Sequence, residues 1–292
     1  MTQDPPRRIR CPLRLRGRTI ETGRRTLVVG ILNLTPDSFY DGGRHHQGQA
    51  ALRRAGEMVD EGADWIDLGA ESSRPGAQPV SQQDELARLL PVLKALRREF
   101  DIPLMVDTYK AEVARAALAE GADLINDISA FRLDPQMPRV MGDSDAGCLL
   151  MHMRGQPADM QKIAPSPDIL ADIDSYFEHA LREASAHNIG HDRIILDPGI
   201  GFGKTADDNL LILNRLPFLQ RFGRPVLVGT SRKSFIGKVL DLPTEERLLG
   251  SVASAAAAVM RGAHLVRVHD VAATRQVADI LDAVLLERVN ER

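Results

Sequence analysis

Glu61-Gly62-Ala63-Asp64 runs directly into Trp65-Ile66-Asp67-Leu68, and Glu120-Gly121-Ala122-Asp123 runs in the same way into Leu124-Ile125-Asn126-Asp127-Ile128. A third copy, Arg261-Gly262-Ala263-His264, precedes Leu265-Val266-Arg267-Val268. Each copy closes an Ala/Leu/Arg/Glu-rich stretch of helical period, puts a glycine where a helix C-cap needs one, and leads into a short β-rich apolar run. A unit that repeats as helix, glycine stop and strand builds a parallel sheet with right-handed crossovers.

Working outward, the same pattern predicts eight strands: Leu27 to Leu32, Trp65 to Leu68, Leu104 to Asp107, Leu124 to Ile128, Cys148 to Met151, Ile194 to Asp197, Val226 to Gly229 and Leu265 to Val268. Helices are expected at Gln47 to Glu61, Gln82 to Phe100, Ala111 to Glu120, Asp168 to His187, Asp208 to Arg221, Glu245 to Arg261 and Ala272 to Arg288, with a shorter one at Asp134 to Met141. Eight such units are the number that closes an α/β (β/α)8 TIM barrel. An open doubly wound sheet is the rival, and the regular glycine stops favour the barrel. Residues 7 to 22, with Gly17 between two β-prone runs, read as an N-terminal β-hairpin placed to plug the barrel's bottom. No Pro-, Gly- or Ser-rich linker divides the chain, so a single domain over 1–292 is expected, the barrel proper spanning about 26–290 after an N-terminal segment of 1–25.

Composition narrows the partners. The 292 residues carry 37 basic and 40 acidic side chains, a net charge of −3, with 43% hydrophobic residues. That slightly acidic balance offers no basic footprint for nucleic acid. The longest weakly polar stretch, Leu248 to Met260, falls short of the roughly 20 residues of a membrane helix. The first twenty residues hold five arginines before Gly17 and no apolar run of seven, so no secretory signal is expected. Cys11 and Cys148 make neither a disulfide framework nor a zinc set, which suits a reducing, cytoplasmic setting.

In barrels of this kind the active site lies at the carboxyl ends of the strands. There the chain places Asn33 and the run Thr35-Pro36-Asp37-Ser38-Phe39, then Glu71-Ser72-Ser73-Arg74-Pro75-Gly76. Asp107, Asn126, Asp127 and Asp197 follow, then Ser231-Arg232-Lys233-Ser234, and Arg267, His269 and Asp270. Any one of these is accounted for as a helix N-cap. Capping does not account for Asp and Asn at three strand ends together with Arg, Lys and His at two others. Asp107, Asn126 and Asp197 are acceptors suited to a flat heterocycle with adjacent N–H donors. Arg74, Ser231, Lys233, Arg267 and His269 suit a phosphorylated group, and residues 267 and 269 project to the same side of an extended segment. An oxygen of Asn33 is a candidate ligand for Mg²⁺ bridging to substrate phosphates. His45, His46, His187 and His191 read as exposed loop residues. Two phosphate motifs fail: Gly203-Lys204-Thr205 lacks the P-loop's earlier glycine, which is Pro198, and Lys204 stands where a dinucleotide fingerprint beginning at Gly199 needs its third glycine.

Several whole segments match a known family. They are Gly30 to Phe39, Glu71 to Gly76, Val106 to Lys110, Ile125 to Ile128, Leu150 to Met153, Leu196 to Lys204, Gly229 to Gly237 and Val266 to Asp270. Through these runs, which span almost the whole chain in order, it resembles the dihydropteroate synthases of the bacterial folate pathway. The resemblance implies a (β/α)8 barrel and a transferase that condenses 6-hydroxymethyl-7,8-dihydropterin diphosphate with 4-aminobenzoate. It implies pterin contacts from Asp107, Asn126, Ile128, Met151, Asp197, Phe202 and Lys233. The diphosphate would fall to Arg267, His269 and Asn33, the last with Mg²⁺. Phe39, Ser73, Arg74, Pro75 and Ser231 would surround aminobenzoate, and Asp41 would face the reacting carbon. Catalytic roles are thereby implied for Asp41, Asp107, Lys233, Arg267 and His269. A homodimer and susceptibility to sulfonamides, which mimic aminobenzoate, are implied as well. The second loop departs from the family pattern, with Ser73 where a threonine usually precedes the arginine; the hydroxyl stays and a methyl is lost. Two other readings share the fold: a pterin-binding methyltransferase module, which lacks the diphosphate apparatus, and a synthase paralogue with altered or lost activity.

Overall fold

The structure, a computed structural model, describes residues 8–34, 43–72 and 76–289, apart from the side chains of 43–47 and 161. An antiparallel hairpin of β1 (Cys11–Leu15) and β2 (Arg18–Thr22) precedes β3 (Leu27–Asn33), α1 (Gly43–Asp60), β4 (Trp65–Gly69), α2 (Gln82–Glu99) and β5 (Leu104–Asp107). The chain continues through α3 (Ala111–Ala119), β6 (Leu124–Asp127), α4 (Met137–Gly142), β7 (Gly147–Met151), α5 (Ile169–Ala186), β8 (Ile194–Asp197) and α6 (Ala206–Arg215). Last come β9 (Leu227–Val228), α7 (Ser234–Leu240), α8 (Leu248–Met260), β10 (Leu265–Val268) and α9 (Val271–Leu286). The eight parallel strands run in the order β8-β7-β6-β5-β4-β3-β10-β9. A parallel bridge between Leu196 and Val226 joins the first to the last, so the sheet closes on itself as the barrel expected. Among the described residues no helix is long and apolar enough to cross a membrane.

The repeated tetrapeptides do the same work three times. Gly62, Gly121 and Gly262 hold φ of +93°, +102° and +98°, the left-handed conformation that stops a helix at low steric cost. The alanine after each sends its N–H back into the last turn: Ala63 to Met58, Ala122 to Ala117 and Ala263 to Ala258, at 2.8, 3.0 and 2.9 Å. The fourth residue then caps a neighbouring strand. Asp64 accepts the Val28 N–H at 2.8 Å, Asp123 the Leu104 N–H at 2.9 Å and His264 Nδ1 the Val226 N–H at 3.1 Å.

Alternation along the strands divides the core in two. Outward residues such as Val28, Ile66, Val106, Ile125 and Leu150 pack under the helices. Inward residues Leu27, Val29, Trp65, Met105, Leu124, Leu149, Ile195, Leu227 and Leu265 fill the barrel, and Leu13 and Leu15 of the hairpin join them from below. Leu15 lies so close to Gly147, the first residue of β7, that a Cβ there would sit 2.3 Å from its Cδ2. The hairpin therefore plugs the amino-terminal end, as its sequence suggested. Several helix bounds differ from expectation, and one helix is additional: α1 begins at Gly43 rather than Gln47, α4 at Met137 rather than Asp134 and α8 at Leu248 rather than Glu245. The helix expected to reach Arg221 ends at Arg215 and passes into a 3₁₀ turn at Leu216–Phe222, because Pro217 cannot supply the N–H that α-helix continuation needs. Ser234–Leu240 forms an additional short helix, with Phe235 and Ile236 buried beneath it.

Candidate active site

Register lines up one row across the barrel mouth. Asn33 pairs with Gly69, Gly69 with Asp107, and Asp107 with Asn126. All four share the parity of the inward apolar residues below them, so the row faces the interior. Gly69 adds no side chain, and a Cβ there would lie 3.8 Å from Asp107 Cβ and 3.9 Å from Asn33 Oδ1. A gap is thus left between those two side chains.

Arg267 comes from β10, two strands from β4 and three from β5. Its Nη2 donates to Asp107 Oδ2 at 3.0 Å and its Nε donates to Asp67, a carboxylate in mid-β4 that sequence reasoning passed over. Asn126 Nδ2 donates to the same Asp67 oxygen at 3.3 Å. Asp67 was legible in principle, since it is a charge on the inward face of a strand buried on both sides. Burial pushes the Asp107 carboxyl up to about 8, against the opposing pull of Arg267.

Asp197, at the end of β8, accepts the Gly199 N–H at 2.7 Å. Burial raises its pKa, while Lys233 and that N–H oppose the rise. Lys233 is the residue before α7; its ammonium donates to the Ile200 carbonyl and stands 4.7 Å from the centre of the Phe202 ring. Burial pushes that ammonium down to about 8, with Asp197 holding it up. The glycine run from 199 to 203 exists for close approach: a Cβ at Gly199 would fall 1.9 Å from the His152 carbonyl oxygen. Lys204, rejected above as a phosphate ligand, turns inward and donates to the carbonyls of His152, Gly199 and Phe202 at 3.3, 2.8 and 3.1 Å. It staples this loop to the end of β7. Ile128 and Met151 are buried within the barrel's inner cluster, and Phe202 packs against it, forming an apolar wall beside the polar row.

At the remaining corner Ser231 Oγ and His269 Nδ1 are 3.0 Å apart, and the same Oγ accepts the His269 N–H at 3.2 Å. Arg232, at φ +56°, leans away and forms a two-point ion pair with Asp270 at 3.0 and 2.7 Å. Behind the second loop Lys110 joins Glu71, Glu85 and the Val80 carbonyl, the last two at 2.5 and 2.8 Å. That cluster too was missed, because its partners are far apart in sequence. Phe39, Asp41, Ser73, Arg74 and Pro75 lie outside the described residues.

Among the described residues no group of three or more His, Cys, Asp or Glu side chains is placed to hold a metal ion. Asn33 presents one amide beside the gap over Gly69. Mg²⁺ keeps waters and takes phosphate oxygens, so one protein oxygen beside an anionic substrate fits it without a dedicated cage.

A closed barrel carrying buried ring acceptors and cations at its carboxyl end defines a small-molecule enzyme of the pterin-binding class, and the family model described as "Pterin binding enzyme" matches residues 29–269. The chain is 47% identical over 270 residues to a dihydropteroate synthase of a Synechocystis species, covering 92% of this chain and 93% of that one. A Xanthomonas albilineans dihydropteroate synthase solved with 4-aminobenzoic acid superposes with a TM-score of 0.88 at 41% identity, covering 94% of this chain and 98% of that one. One from Burkholderia cenocepacia, complexed with 7,8-dihydropteroate, gives 0.86 at 43% identity, covering 95% and 97%. The chain therefore belongs to the dihydropteroate synthase family and is a transferase.

Proposed function

We propose that the enzyme joins 6-hydroxymethyl-7,8-dihydropterin diphosphate to 4-aminobenzoate, releasing 7,8-dihydropteroate and diphosphate. The observation that carries this reading is the division of the barrel mouth into an acceptor half, Asp107, Asn126 and Asp197, and a cationic half, Arg267, Lys233 and His269. The first half suits the N–H edge of a reduced pterin, with Ile128, Met151 and Phe202 against the ring. In the second, Arg267 and His269 suit the diphosphate, and Ser231 orients the imidazole through its short contact.

The chemistry asks little covalent help from the protein. The C–O bond at the pterin methylene breaks with its electron pair leaving on diphosphate, and the carbon's positive charge spreads into the electron-rich ring. The arylamine lone pair then forms the C–N bond, and the new ammonium gives up its extra proton to solvent water. Buried carboxylates facing the ring stabilise the developing cation, and fixed donors stabilise the departing anion. Mg²⁺ held by Asn33 and the diphosphate would supply further neutralisation of that anion.

We infer a homodimer and a cytoplasmic enzyme as part of the same reading. Support for the dimer comes from exposed apolar residues on consecutive helices, Val239 and Leu240 of α7, Leu249 of α8, and Ile280 and Val284 of α9. The purified protein, given both substrates with Mg²⁺, is expected to form dihydropteroate and diphosphate in equal amounts. Absence of product under those conditions would reject the reading.

A further inference from the structure

Asp67 lies deeper than the two charges above it, its side chain 0% exposed against 10% for Asp107 and 20% for Arg267. A carboxylate stripped of water is costly to keep, so its place in the barrel needs a compensating task. Its Oδ2 takes Nε of Arg267 and Nδ2 of Asn126, whereas its Oδ1 and the Oδ1 of Asn126 are buried without a hydrogen-bond partner among the described residues. One rigid guanidinium is thereby shared between two carboxylates through different nitrogens: Nε for Asp67, Nη2 for Asp107, and Nη1 for neither. Guanidinium and carboxylate prefer a two-point pairing, as Arg232 and Asp270 make nearby. Released from Asp67, Arg267 would turn to pair with Asp107 through both Nε and Nη2, as Arg232 does with Asp270, and cover the oxygens that the pterin ring needs.

We propose that Asp67 is a positioning residue that holds Arg267 by Nε, so that only one guanidinium nitrogen engages Asp107 and Nη1 stays turned toward the anionic leaving group. This rests on the reaction assigned above. Asp67 touches no substrate in this scheme and acts through Arg267, while Asn126 is oriented by the same oxygen.

Coupling separates this role from a merely structural one. Asp67→Asn keeps the volume and an acceptor for Nε but removes the charge. It is expected to lower kcat/KM for the pterin diphosphate by roughly 30-fold or more while KM for aminobenzoate changes less than about twofold. In an Arg267→Met background the same substitution is expected to change kcat/KM by less than about threefold, because the residue it acts through is gone. A pH profile gives a second readout. The charged groups facing Asp107 include Arg267, Lys233, Asp67, Glu85 and Asp127, and Asp67 is one of those raising its pKa. Removing that charge therefore moves the acid limb for pterin diphosphate to lower pH. Losses that multiply in the double variant, or a wild-type kcat/KM with an unmoved acid limb, overturn the proposal. Should Asp67→Asn fail to fold, Asp67→Leu combined with Arg267→Met removes the pair together and is expected to match Arg267→Met alone. A wild type that forms no dihydropteroate rejects the assigned reaction instead. Calorimetry with inorganic diphosphate then reads the pair: a roughly tenfold weaker Kd in Asp67→Asn that vanishes in the Arg267→Met background supports it, and an unchanged Kd overturns it.

Discussion

Replacing Asp197 by Asn tests the acceptor half of the site with almost no change in volume. Asp197 is 5% exposed and one oxygen already takes the Gly199 N–H at 2.7 Å, so under the proposed assignment the rest of the carboxylate would meet the pterin's paired N–H donors. Asn keeps one oxygen and turns the other into a donor facing donors. The loss is one charge-assisted hydrogen bond, about 1.5–3 kcal/mol, and one stranded ring N–H, about 1–3 kcal/mol. Together these come to about 2.5–6 kcal/mol, or roughly 10²- to 10⁴-fold in Kd. The substitution also strips Lys233 of the anion that holds its pKa up near 8. A cation with less support loses its proton at lower pH, so the alkaline limb of pterin affinity moves acidward. Titration calorimetry with a pterin lacking the diphosphate, run from pH 6 to 9, reads both effects. An affinity within roughly threefold of wild type and an unmoved alkaline limb would refute the assignment of Asp197 to the ring.

Excess EDTA is expected to abolish turnover, restored by Mg²⁺; full activity in chelator would remove the metal from the reading. Leu15→Ala, deleting a side chain 1% exposed inside the barrel, is expected to cost about 2–5 kcal/mol in urea unfolding, and a cost below about 1 kcal/mol would mean that the hairpin packs loosely. Light scattering at micromolar concentration is expected to give twice the chain mass, and Leu249→Glu, at an 81% exposed position, to halve it; a monomeric wild type rejects the dimer.

The strands were legible because each is short, apolar and bounded by a glycine stop or a turn, and the structure returns them within a residue or two. Helix ends were harder. The run after Asp208 keeps its apolar period past Arg215, yet Pro217 diverts it, a backbone constraint that periodicity does not weigh. The site residues at strand ends stood out one by one as polar punctuation after apolar runs, and the barrel brings Asp107, Asn126, Asp197, Lys233, Arg267 and His269 to one mouth. Asp67 escaped notice because it sits inside such a run, and its meaning appears only when Arg267, 200 positions away, arrives beside it. Lys204 escaped because its motif was tested for phosphate binding, whereas its partners are carbonyls of its own loop and of residue 152.

The hairpin under the barrel turns the active site into a blind alley. Among the described residues Leu13 and Leu15 fill the floor beneath Leu27, Leu124, Leu149 and Leu265, which leaves the mouth at the strands' carboxyl ends as the way in and out. Whatever docks deepest, against Asp197 and Asn126, must arrive before anything that covers it and must depart after. On the proposed reading, a pterin seated there would be boxed in by the aminobenzoate that follows, and the joined product would back out by the route its halves used. Catalysis in such a cul-de-sac is paced by queueing as well as by bond making, and mutations at the rim should alter the exit rate without touching the chemistry below.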